Sequence, residues 1–167
     1  MAKRIDPVVL GIIIITVLVG GGIIALAASK EKAPIVQYQQ NDAARPQVRV
    51  SETSFEMGTM KLSDTKSQDV TLTNTGTKEL VLSDVVTSCD CTFAQVTVAG
   101  RVSKEFSMRR DPVWSEVVSP GETATVKITY KPSIMPVKGN VSRSVAIKTN
   151  DPGQPLVTIK FSANVQL

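Results

Sequence analysis

A chain of 167 residues with a net charge of +4 and no histidine lacks the commonest general base and the commonest metal ligand, and with them any Ser-His or Cys-His nucleophile pair. Its charges alternate in sign and are scattered. The nearest approach to a basic cluster, Arg109-Arg110, is followed at once by Asp111, so the basic stripe with interleaved aromatics that marks a nucleic-acid binder is missing. Neither an enzyme, nor a cofactor, nor a nucleic-acid partner is expected.

Residues 1–7 carry Lys3 and Arg4 and are expected in the cytoplasm. Residues 8–28 then run without a charge. At about 1.5 Å per residue such a helix spans roughly the 30 Å hydrocarbon core of a bilayer. A retained signal anchor is expected here, making the membrane the first partner. The alternative is a signal peptide cleaved after Ala27, in the small-x-small run Ala25-Leu26-Ala27. The apolar stretch is longer than the roughly 7–15 residues usual for a cleaved signal, which favours retention. The positive-inside bias and the signal-like layout place the rest of the chain outside the cytoplasm, as a single-pass protein of the cell membrane. Residues 29–47 have little apolar content and two prolines, Pro34 and Pro46. They read as a flexible tether reaching on the order of 25 Å.

Residues 48–167 read as one all-β domain. Val48 and Val50 alternate with polar neighbours, as do Phe55 and Met57, then Val70 and Leu72; the run Leu80-Val81-Leu82 resumes a strand, and Val85-Val86 continue toward the cysteines. A strand is expected over 93–98 and another over 125–130, with Val126, Ile128 and Tyr130 inward. Val141, Val145 and Ile147 share a face, and Val157, Ile159, Phe161, Ala163 and Val165 keep a strict period of two. Turn signals recur between them: Asn74-Thr75-Gly76, Pro120-Gly121 and Asn150-Asp151-Pro152-Gly153. Short strands at this spacing predict an immunoglobulin-like antiparallel β-sandwich preceded by one transmembrane helix. The long last strand reads as one that its neighbouring Pro and Lys residues guard against edge pairing. Residues 100–114 are the least regular part of the domain.

The only two cysteines, Cys89 and Cys91, lie one residue apart. On an extended strand their Cα atoms would be roughly 6.6 Å apart, at the edge of the roughly 4.4–6.8 Å that a disulfide accepts. A bend at Asp90 eases closure, and an oxidising compartment favours it. The alternatives are two thiolates on one face holding copper or zinc, or a pair of free, half-buried side chains.

The residues carrying these turns also carry a resemblance. Phe55-x-x-Gly58, then Asn74-Thr75-Gly76, then Ser88-Cys89-Asp90-Cys91-Thr92, then Pro120-Gly121, then Asn150-Asp151-Pro152 resemble the bacterial DUF1573 family, related to the immunoglobulin-like ASPM/SPD-2/Hydin (PapD-like) domains. The resemblance covers roughly residues 50–165 and implies the sandwich more than an activity. Two departures stand out. Asp90 replaces the glycine usual between the cysteines, and an extra segment, about residues 98–117, precedes the Pro-Gly turn. That segment holds Arg109, Arg110 and Trp114, candidates for contact with another protein because Arg and Trp are enriched in binding hot spots. Packing against a sheet is the competing role for Trp114. The expected function is a membrane-anchored interaction or scaffold module. The alternatives are a metal- or thiol-handling protein using Cys89 and Cys91, and a chaperone acting by strand donation, which requires an open sheet edge.

Overall fold

The computed structural model describes residue 8, residues 10–17 and residues 35–166. The chain forms two compact units, Met1–Pro34 and Ile35–Leu167. In the first, residue 8 and residues 10–17 are helical, and Thr16 Oγ1 donates to Ile12 O over 2.8 Å. Among the described residues no helix is long and apolar enough to cross a membrane. Most of the expected span and the first part of the expected tether lie outside the described residues.

The second unit is a sandwich of two five-stranded sheets. One has the order β1-β3-β8-β5-β6, from Val48–Val50, Lys66–Asn74, Thr123–Tyr130, Thr92–Val98 and Arg101–Val102. The other has the order β2-β10-β9-β4-β7, from Ser54–Lys61, Leu156–Gln166, Gly139–Thr149, Leu80–Thr87 and Ser115–Val118. Alternation explains the layering. Val70, Leu72, Val96, Val126, Ile128 and Tyr130 are buried from the first sheet, and Leu80, Leu82, Ile147, Ile159 and Phe161 from the second. Tyr130 and Phe161 meet across the interior with ring centroids 5.5 Å apart, and Phe161 stacks on Phe55 at 5.6 Å.

Two strands change phase midway, each at a positive-φ residue. In β2, Met57 and then Met60 are buried. Gly58, at φ 69°, is the extra residue where the register against β10 shifts, as a β-bulge requires. In β4 the inward set Leu80 and Leu82 continues as Val85 and Thr87, because Asp84 (φ 47°) sits at the register shift against β9.

The last strand departs from expectation. β10 lies inside its sheet, antiparallel to β9 and parallel to β2. Its strict alternation reports one buried face, and such a signal is the same for an edge strand and an inner one. The edge is β2. Lys66 Nζ donates to Met57 O and Thr59 O over 2.8 and 2.9 Å, and Asp64 Oδ2 accepts from Lys61 N over 2.8 Å. Edge polar groups of the second half of β2 are thus engaged within the chain.

Candidate functional site

The motif residues divide between the two ends of the sandwich. At one end, Asn74 is fully buried. Its Nδ2 donates to Lys78 O (2.8 Å) and Val118 O (2.9 Å), and its Oδ1 accepts from Gly76 N (3.0 Å). Gly121 N donates to Asn74 O over 2.8 Å from the turn in which Pro120 fixes one position and Gly121 takes φ 81°, the arrangement of a type II turn. Asn150 Oδ1 accepts from Val81 N over 2.8 Å. Asp151, 4% exposed, accepts from Val48 N (2.9 Å), Gly153 N (2.9 Å) and Arg45 Nη1 (3.1 Å). Gln40 Nε2 reaches Pro152 O at 3.2 Å. Residues 35–47, expected as part of the flexible tether, therefore lie along the domain as a strap. Gly76 makes room for that strap: a Cβ there would stand 2.5 Å from Gln47 N and 2.7 Å from Pro46 C.

At the other end, residues 88–91 turn the chain from β4 in one sheet to β5 in the other. Cys89 and Cys91 are joined in a disulfide with Cα atoms 5.2 Å apart, closer than an extended strand allows because the chain bends at the exposed Asp90. Both cysteines are buried, at 5% and 0% exposure. Thr92 N donates to Cys89 O (3.2 Å), Thr87 Oγ1 donates to Cys89 O (2.9 Å), and Thr92 Oγ1 lies 3.2 Å from Cys89 Sγ. Ser88 pairs with Ser144 twice, N to O and Oγ from N, each at 2.9 Å. Among the described residues no three Cys, His, Asp or Glu side chains converge as a metal site. Nearby, burial holds the Tyr130 phenol above its ordinary pKa, while the charge of Arg143 pulls the other way.

A bond closing so short a loop constrains few unfolded conformations, so it contributes about 1.5 kcal/mol on the loop-entropy relation. Cys91→Ala with Cys89→Ala is expected to lower stability by about that amount and to leave a folded domain. Urea unfolding of the double variant beside the native chain measures it.

The extra segment covers the lateral edge formed by β4 and β5. Phe106 bridges Ala94 in both directions (3.0 and 2.8 Å), Ser103 N donates to Val96 O (2.8 Å), and Thr87 N donates to Ser107 O (3.1 Å). The segment then crosses sheets and pairs with β4 as β7. Trp114 is half-buried, edge-on to the buried Phe106 at 4.7 Å. Arg110 Nη1 and Lys148 Nζ both reach Asp84 Oδ2, at 2.6 and 2.9 Å. Arg109 is exposed. The hydrogen bond to Glu116 raises Arg101 above its ordinary pKa, and the one from Lys104 holds Asp111 below the usual carboxylate range. The pairings of Arg101 with Glu116 and Lys104 with Asp111 span this segment at 2.7 and 2.5 Å. It displays Val102, Met108 and Val113 to solvent, Val113 at 76%. Sequence reasoning singled out Arg109, Arg110 and Trp114 but not Arg45, Lys66 or Asp84. Their roles depend on partners distant in the chain, and no local pattern signals them.

Residues 46–164 match the HYDIN/CFA65/VesB-like, Ig-like domain. No curated protein matches the chain. Among solved structures, a protein of unknown function from Porphyromonas gingivalis is 22% identical with a TM-score of 0.55. The match covers 73% of this chain and 48% of that one, so this chain spans about half the length of that protein. The ASH/PapD-like domain of human CEP192 (PapD-like domain 7) is 15% identical with a TM-score of 0.51, covering 81% of this chain and 96% of that domain. At such identities the likeness speaks for the fold alone.

Proposed function

The chain belongs to the HYDIN/CFA65/VesB-like family of Ig-like domains, and from that premise we propose that it is a non-catalytic protein-interaction module. In this reading residues 8–28 tether it to the cell membrane with the domain outside the cytoplasm, and the inserted segment carries the contact. The narrower kinship with the bacterial DUF1573 domains belongs to the same proposal and rests on the Cys-Asp-Cys corner and its flanking turns.

One observation carries it. The insertion is tied to the sandwich at Phe106, Ser107 and β7, yet it holds Val102, Met108 and Val113 out in solvent. Apolar side chains displayed on an ordered base lose little conformational freedom on contact, which favours binding. The other two readings are weaker. Cys89 and Cys91 are buried and bonded to each other, which weighs against metal capture or thiol exchange. The capping of β2 by Lys66 and Asp64 weighs against strand donation.

A photoreactive amino acid at Val113, in the full-length protein in intact cells, is expected to give a discrete protein adduct. The same probe at Asp69, on the outer face of β3, is expected to give none. Absence of an adduct at Val113, or equal labelling at both positions, would remove the insertion as the contact.

A further inference from the structure

The turn after β2 and the loop after β8 meet at the end of the sandwich away from the strap. There Lys61, Leu62, Ser63 and Ser133 line a mainly apolar groove of about 360 Å³. Directly after Ser133, Ile134, Met135 and Val137 stand 48%, 43% and 43% exposed. Their backbone is anchored: Pro132–Ile134 form a 3₁₀ turn, Ile134 N donates to Lys131 O over 3.2 Å, and Lys131 N donates to Cys91 O over 2.8 Å. The apolar tip is thus built directly on the disulfide corner.

The loop itself carries charge of one sign. From residue 123 to residue 150 the chain holds no Asp or Glu. In sequence Lys131 and Lys138 bracket the loop, with Lys131 Nζ over the Phe93 ring at 4.6 Å, and Lys61 lines the groove. Of the carboxylates at this end, Asp64 is turned onto Lys61 N, Asp90 stands exposed at the corner, and Glu105 lies beside Phe93 and Thr129.

We propose that this groove and loop dock a peptide segment of a partner protein in which an apolar side chain is flanked by carboxylates. The inference rests on the interaction-module reading but uses a surface separate from the insertion. A shallow, open groove beside projecting apolar residues offers an apolar side chain a surface to bury against. A flat bilayer would meet the loop tip and leave the groove unfilled. Lys61 and the exposed Lys138 complement carboxylates beside the anchor and penalise cations there.

The test uses the full chain in phosphatidylcholine nanodiscs and a short fluorescent peptide alternating leucine with aspartate, beside its leucine–lysine counterpart. The aspartate peptide is expected to bind at least about tenfold more tightly, a difference of about 1.4 kcal/mol. Met135→Asp and Lys138→Glu should each weaken it about tenfold, with thermal unfolding unchanged because both side chains are exposed, and Asp69→Asn, on the outer face of β3, should leave it unaltered. Equal affinity for the two peptides overturns the proposal, as does retained binding by folded Met135→Asp. So does quenching of a Met135→Trp variant by brominated lipid in anionic nanodiscs, which assigns the loop to the bilayer. Loss of peptide binding with the Val113 adduct retained removes the groove alone. Loss of both removes the module reading with it.

Discussion

Replacing Asn74 with alanine is expected to destabilise the domain by about 3 kcal/mol. The side chain is fully buried and closes the turn after β3 from inside. Nδ2 satisfies Lys78 O and Val118 O, and Oδ1 satisfies Gly76 N. Alanine removes these three bonds and the longer one that Gln47 N donates to Oδ1 (3.4 Å). Water can replace the partner of the exposed Lys78, but Val118 is buried at 0% and its carbonyl is left bare. A buried polar group without a partner costs about 1–3 kcal/mol, and Gly76 N adds to it. Asn74→Asp keeps an acceptor for Gly76 N but restores neither carbonyl bond, because a carboxylate accepts and cannot donate. Denaturant titration should show a lowered midpoint with an unchanged slope. A shift below about 1 kcal/mol would mean that the turn is held by its backbone alone.

Gly76→Ala should act at the same end by a different route. The position has no room for a Cβ, since the obstructing atoms are the backbone of Arg45, Pro46 and Gln47 and no side chain can swing aside. Either the turn distorts, at about 1–3 kcal/mol for overpacking, or the strap lifts. Lifting breaks Thr75 N to Gln47 O (2.8 Å) and Thr77 N to Arg45 O (3.0 Å) and strains the three-bond seat of Asp151. Limited proteolysis reads the choice: cleavage within residues 35–47 of Gly76→Ala, absent in the native chain, reports a released strap. Unchanged cleavage together with unchanged stability would contradict the packing described.

These two positions show what the sequence could and could not reveal. Asn74-Thr75-Gly76 was legible as a turn because Asn and Gly tolerate turn geometry. That its Asn is a buried hub, and its Gly the floor under a strap arriving from residues 45–47, depends on segments the local pattern does not join. Strand positions from β3 to β10 were readable from alternation wherever one face is buried. β6 and β7 were not, because each is short and pairs only at a margin of its sheet. The order of strands, with β10 interior and parallel to β2, carries no periodic signal. At the corner, spacing alone left Cys89 and Cys91 between a bridge, a metal pair and free thiols. The bend at Asp90 brings their Cα atoms to 5.2 Å, and burial between the sheets gives the pair a structural setting.

In the function proposed above, Cys89 and Cys91 staple an exported interaction domain and do no chemistry of their own. The intact mass of the membrane-extracted native protein, with and without reduction and alkylation, tests it most directly. The predicted result is the full-length mass, no alkylation of the native or the denatured unreduced chain, and two alkylations once the chain is reduced and denatured. Alkylation of the native, unreduced protein would contradict it and return the pair to thiol or metal handling.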